Sequence, residues 1–324
     1  MAAYVLRRLL WVGPILFGVS VLTFVMLKNV PGDPISQIGG GRSGGAIRQV
    51  DRDRLAEQYG LNRPLVLQYT DWIGGVVRGN LGYSYESNRP VLDLIMERLP
   101  NTLKLAGISF IVTIVIALPL GIVSAVKQNR PVDHLLTLVS FVGISIPSFW
   151  LALMILFFFG VQLGWLPTRG MRSIMVEPGV WNGLKDAAPH YVLPVIAVTL
   201  IGLSGYVRFQ RAAMIEVLGQ DFVRTARAKG VPERMVILKH AWRNALVPII
   251  TLLGYVLVTL VEGAIVVETV FTWPGMGLLA VDALDNKDYP IVMGVVLLSS
   301  IMIVFGTLLS DILYAVVDPR VRYD

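Results

Sequence analysis

The sequence has 324 residues, 55% of them hydrophobic and only 15% charged, with 28 Lys and Arg against 22 Asp and Glu for a net charge of +6. A soluble globular chain carries about 25% charged residues. Here the charges crowd between apolar stretches of about twenty residues, from which no water-facing surface can be built, so lipid must take water's place. The absence of cysteine excludes disulfide frameworks, thiolate nucleophiles, iron–sulfur clusters and cysteine-based zinc sites. The basic balance suits loops lying beside anionic lipid, not nucleic acid.

The first span is read over Leu9–Leu27, after Arg7 and Arg8; at 1.5 Å per residue it reaches about 28 Å, close to the hydrocarbon thickness. It is longer than the apolar core of a signal peptide and runs into Lys28 and Pro31-Gly-Asp-Pro34 with no small-residue cleavage site, so it is read as an uncleaved helix. Residues 28–102 are polar, mixed in charge and broken by turns, and are read as a small external domain. Gly39 to Gly45 is a flexible loop without the Lys of a phosphate loop, and short amphipathic helices are expected over Val50–Tyr59 and Tyr69–Val77.

Residues 103–324 hold five further spans, expected near Leu103–Val126, Leu135–Val161, Tyr191–Val207, Ala245–Val267 and Tyr289–Val317, with Pro119, Pro147 and Pro194 as tolerated kinks. The fold class is therefore all-α integral membrane with about six transmembrane helices. Short loops set the orientation. One side carries Arg7, Arg8, Lys127, Arg130, a dense run from Arg208 to Arg243, Arg320 and Arg322; the other carries Arg169, Arg172, Lys185 and Lys287 only. The excess marks the cytoplasmic side and places both termini there.

The loop over 208–245 is too long for a tight connection. Within it, Asp221 is a candidate N-cap, Arg227 and Lys229 suit a negative C-terminal end, and Gly230 with Pro232 stops a helix of eight or nine residues. Such a helix is marginal alone in water and must lie against something, either lipid headgroups or another protein. Ala226, Ala228 and Gly230 are small enough for close approach.

Arg224-Thr-Ala-Arg-Ala-Lys-Gly230, followed by Asn244-Ala-Leu-Val-Pro248, resembles the cytoplasmic "EAA" loop of ABC importer membrane subunits. The wider resemblance is to the first, B-type permease of the dipeptide/oligopeptide/nickel group. It covers nearly the whole chain through Tyr4-Val-Leu-Arg-Arg8, Pro31-Gly-Asp-Pro34, Tyr59-Gly-Leu-Asn-Arg-Pro64, Gly79-Asn-Leu-Gly82, Ile146-Pro-Ser-Phe149, Val267-Glu-Thr-Val-Phe-Thr-Trp-Pro-Gly-Met-Gly277 and Asp318-Pro-Arg-Val-Arg322. The resemblance implies a permease in the bacterial inner membrane that forms half of a pathway for peptides or a similar small solute, without catalysis of its own. It implies a second permease, with a heterodimer suggested, two cytoplasmic ATPases that bind the ATP and Mg, and an external binding protein. Carried over by position, Asp221, Arg224, Thr225, Ala226 and Gly230 form the coupling helix that docks on the ATPase. The family's leading Glu falls at Arg224, so that residue is not assigned a glutamate's contacts.

Glu262, near mid-span, is read either as lining the solute path or as bonded to a neighbouring helix. Glu268, with Pro274, Gly275 and Gly277, is read as tying down an outer loop. Gly275-Met-Gly-Leu-Leu-Ala280 matches a dinucleotide fingerprint but follows a membrane helix, not a strand. His134, His190 and His240 are scattered, so no metal or catalytic site is assigned. Trp72, Trp165, Trp181 and Trp273 fall near expected outer boundaries and are read as an interfacial belt. The alternatives, an ion-coupled secondary transporter or a membrane-embedded enzyme, would need a pair of related broken-helix halves or a nucleophile with its base.

Overall fold

The structure is a computed structural model that describes residues 2–30, 53–54, 56–57, 60–173, 179–246 and 265–317, with side chains between 10 and 312. Among these residues there is no strand, only an isolated bridge between Tyr83 and Pro90. The helices are α1 (Ala2–Asn29), α2 (Leu65–Val77), α3 (Val91–Val126), α4 (Pro131–Ser145), α5 (Ser148–Ile155, continued by a π-helical turn over Leu156–Gln162), α6 (Val180–Leu218), α7 (Asp221–Ala228), α8 (Glu233–Met235, a π-helical turn Val236–Ala241, then Trp242–Ala245), α9 (Met276–Asp285) and α10 (Tyr289–Val317).

Four helices are long and apolar enough to cross a membrane, and a fifth span arises if α4 and α5 count as one. The remaining expected span, Ala245–Val267, falls mostly on 247–264, outside the described residues, as does Glu262. Two helices run well past the spans expected from hydropathy. At 36 and 39 residues, α3 and α6 are about 54 and 58 Å long, nearly twice the hydrocarbon thickness. Hydropathy locates where a helix meets lipid, whereas its ends are set by caps and packing.

The third expected span is not a kinked helix. It is broken, with α4 and α5 bent by 101°. Ile146 is extended (φ −77°, ψ 125°) and Pro147 follows as the N-cap of α5, because a residue before proline is pushed out of the helical region.

Two compact units divide the chain: Met1–Thr102 with Pro274–Val304, and Leu103–Trp273 with Phe305–Asp324. In the first, Phe24, Leu27, Val91, Ile95, Met276 and Tyr289 form a buried cluster on which Tyr69 and Trp72 of α2 pack. Tyr69 meets the Phe24 ring edge-on at 5.4 Å and shares a 2.8 Å hydrogen bond with Ser20. Asp288, 1% exposed, accepts from Ser84 Oγ at 2.6 Å and from the backbone N–H groups of Tyr85 and Glu86, which fixes the 80–90 loop onto the turn before α10.

The segment around Glu268, read from the sequence as an outer loop, divides between the units. In the second unit Val267, Phe271 and Trp273 are buried with Leu105 and Leu193, Glu268 is fully buried, and Trp273 N–H donates to the Glu268 carbonyl at 2.7 Å. Trp273 stands edge-on to Tyr191 at 4.6 Å, so it belongs to the core and not to an interfacial belt. Trp72 is partly buried likewise, while Trp165 and Trp181 are 68% and 67% exposed, as belt residues would be. In the first unit the Pro274 carbonyl accepts from Asn101, Thr102 Oγ1 accepts from Met276 N–H, Gly275 caps α9 and Gly277 is buried in its first turn.

Candidate functional site

The loop over 208–245 folds as a compact support with one short helix on its surface. Helix α6 ends at Leu218, and Gly219 and Gln220 turn the chain into α7. Gln220, not Asp221, is the N-cap, with extended backbone and no side-chain capping bond. Its carbonyl accepts from the N–H groups of Val223 and Arg224. Asp221 is the first helical residue, where its charge still complements the positive helix end.

The far end of α7 closes as a Schellman motif. Val231 N–H donates to the Ala226 carbonyl at 3.2 Å and Gly230 N–H to that of Arg227 at 2.9 Å, satisfying carbonyls the helix leaves open. Gly230 has φ +72°, a left-handed conformation that glycine adopts without a Cβ penalty. Ala226 and Val231, the two positions this motif brings together, both belong to one apolar cluster.

That cluster decides which face of α7 is free. Val223 and Ala226, three apart, are buried with Met214 and Val217 of α6, Ala125 of α3, and Val236, Ala241 and Ala245 of α8. The π-helical turn in α8 explains the last set. Val236 and Ala241 are five residues apart, the repeat of a π turn, so Ala241 faces inward in place of His240, which a plain α-helix would have put there. The close approach expected of Ala226 is therefore made by the protein's own helices. Asp221, Phe222, Arg224, Thr225, Ala228 and Lys229 are exposed.

Polar contacts on the exposed face are loose. Arg224 lies 3.5 Å from Asp221 with both side chains more than two-thirds exposed, and Thr225 Oγ1 donates to the Asp221 carbonyl at 2.9 Å. Below the helix, Arg227 donates twice to Glu233, at 3.2 and 2.7 Å, bracing the turn through Gly230. The hydrogen-bonded guanidinium holds the Glu233 carboxyl below the ordinary carboxylate range, and the carboxylate raises Arg227 in turn. Phe222, 40% exposed, is the residue of this face that the sequence reading passed over. Its signal was an aromatic off the inward 223/226 stripe in a helix otherwise rich in charge.

Two family profiles match: binding-protein-dependent transport system inner membrane component over residues 117–323, and the N-terminal part of the same membrane component over residues 1–106. The chain belongs to this family. It is 42% identical to the oligopeptide transport system permease protein AppB of Bacillus subtilis (strain 168), covering 100% of both chains. It is 38% identical to the dipeptide transport system permease protein DppB of Escherichia coli (strain K12), over 100% of this chain and 99% of that one. Identity is 40% to the glutathione transport system permease protein GsiC of Escherichia coli O6:H1, with 100% of both covered. Among solved structures, the MetNI methionine ABC transporter in an inward-facing form superposes with a TM-score of 0.58 at 18% identity, over 70% of this chain and 97% of that one, which shows a shared fold. The permease is thus a multi-pass inner-membrane protein of the ABC importer class, and proteins of this class work with ATPase and binding-protein partners and a second permease.

Proposed function

We propose that this permease forms half of the pathway of an ATP-driven peptide importer and that α7 docks on a cytoplasmic ATPase subunit. The observation that carries the reading is the two-sided character of α7. An eight-residue helix, too short to stand alone, is anchored by Val223 and Ala226 and presents Phe222, Arg224 and Thr225 outward. Asp221 adds charge to the presented face, and Gly230 sets the turn behind it. ATP and Mg bind in the partner, since no phosphate loop is present in this sequence. The excess of Lys and Arg in the loops that include 208–243 supports placing α7 and both termini in the cytoplasm. Peptides are favoured as the solute class because the relatives with full-length matches are named for oligopeptides, dipeptides and glutathione. The second permease is a different chain, as the resemblance to a B-type subunit suggests.

Purification from the native host in mild detergent, followed by identification of what accompanies the chain, tests the assembly. Recovery of a second permease and ATPase subunits, with the ATPase lost on Phe222→Asp, is the expected result. ATPase recovery unchanged by Phe222→Asp and by Arg224→Ala would remove α7 from the docking role.

A further inference from the structure

Asp133, in the first turn of α4, is 1% exposed, yet its carboxylate is fully bonded. Arg211 of α6 donates through Nε to one oxygen at 2.7 Å and through Nη2 to the other at 2.8 Å. Ser124 of α3 donates to the first oxygen at 2.5 Å, and the backbone N–H of Asn129 to the second at 3.0 Å. Asn129 has φ +61° in the turn between α3 and α4, so one carboxylate fastens the end of α3, the turn, the start of α4 and α6.

Two further contacts continue the seam along the same pair of helices. The Arg208 guanidinium lies over the Phe141 ring at 5.5 Å. Gly143 leaves room for Ser204, whose Oγ a Cβ there would strike. As the α6 positions fall from 211 to 208 to 204, the α4 positions rise from 133 to 141 to 143, so the helices are joined antiparallel over most of α4. In the other direction α6 reaches Met214 and Val217, which support Val223 and Ala226 of α7.

Burying an ion pair is costly, and removing one partner is more so. A bidentate fork with every acceptor used resists shear in a way that apolar packing does not. We propose that Asp133 and Arg211 are positioning residues for energy coupling. They make the 124–145 segment and the α6–α7 support one rigid body, so that a displacement imposed on the exposed face of α7 arrives undiminished at α4 and the broken span it begins. The proposal rests on the docking role of α7.

The test uses the assembled importer purified from its host. The chain contains no cysteine, so Gln128→Cys and Arg234→Cys, both at exposed positions outside the docking face, place spin labels on the α3–α4 turn and beyond α7. In the otherwise wild-type importer the distance distribution should be single and unchanged by trapping ATP. In Asp133→Asn and Arg211→Lys the ATPase subunits should be retained and should hydrolyse ATP, but the single distribution should be lost on trapping. Stimulation of hydrolysis by the external binding protein should fall by about fivefold or more, the lower range of ordinary coupling energies. Arg211→Lys keeps the charge and removes only the fork, so a merely structural role would leave the trapped distance unmoved. A distribution that stays single in both variants overturns the proposal. If neither variant assembles, a label distance that shifts on trapping ATP in the wild-type background overturns it equally. Absence of ATPase from the wild-type preparation refutes the docking reading, and this one with it, whereas ATPase present with a shifting distance refutes this one alone.

Discussion

Val223→Ala separates the footing of α7 from its exposed face. Val223 is fully buried, and the substitution removes two methyl groups, about 1.6 kcal/mol at roughly 0.8 kcal/mol per buried carbon. The surrounding small side chains of Ala125, Ala213 and Ala241 have little reach to fill the space, so a modest cavity term brings the loss to about 2 kcal/mol. The partners of Val223 in α3 and α6 lie in the last turns of those helices, so the loss falls on local seating. With every 1.4 kcal/mol worth tenfold, the unseated population rises about thirtyfold. Amide hydrogen exchange reads that population directly when opening and closing are fast. The amides of 223–231 should exchange about thirtyfold faster in Val223→Ala, with peptides from α3 and the rest of α6 unchanged. Arg224→Ala removes a side chain that is 73% exposed and whose ion pair with Asp221 is long; it should leave exchange as it was and lower ATPase recovery. Exchange over 223–231 that matches wild type in Val223→Ala would refute the inward anchoring of α7, and acceleration in all peptides alike would refute its local character.

Gly230→Ala should lower ATPase recovery, because a left-handed residue with a Cβ costs about 1–2 kcal/mol, although the space around that Cβ is open; Gly230→Asn should restore most of it, and equal recovery from both would refute the conformational argument. Gly121→Ala should lower the melting temperature in detergent, since its Cβ would stand 2.5 Å from Gln210 Cβ and 2.9 Å from the Val207 carbonyl; an overpacked site of this kind costs about 1–3 kcal/mol, and an unchanged melt would show that α3 and α6 can separate freely there. The Arg227–Glu233 pair contributes stability above the ordinary carboxylate pKa and loses it as pH falls through the lowered Glu233 value. Both side chains are about half exposed, so the contribution is at most about 1 kcal/mol and screened by salt. Glu233→Gln should therefore speed exchange near Gly230 only slightly at neutral pH, and that difference should vanish in strong acid or high salt; a difference that persists in acid would refute the pairing.

The organisation of the chain was legible where function is encoded locally. The end of α7 is written in Arg227-Ala-Lys-Gly230-Val-Pro232, because a glycine before a stop forms a Schellman motif from adjacent residues alone. Its start was not: Asp221 reads as a cap, yet the backbone turn through Gly219 and Gln220 makes Gln220 the cap and Asp221 the first helical residue. Pro147 located the break in the third span, but an angle of 101° depends on how α4 and α5 pack, which no local pattern carries. Trp273 misled for a related reason. An aromatic near a hydropathy boundary looks the same whether it faces lipid headgroups or a buried Tyr191. Asp133 and Arg211 are 78 residues apart, and each alone reads as an ordinary loop charge.

The contrast between those two charges and the face of α7 bears on how such a loop can serve a partner. Seated residues under α7 are small or apolar and give a surface whose shape is fixed by packing. The fork between Asp133 and Arg211 lies apart from that face, with Arg211 ten residues before α7 along α6. On the presented face the charges are spread out, solvated and weakly paired, so they lose little when they exchange water for a partner. Phe222 adds an apolar contact on that face, of the kind that anchors protein interfaces. A buried apolar footing with a solvated face lets the residues of that face change without disturbing the packing beneath, and Arg224, 73% exposed, stands on that face.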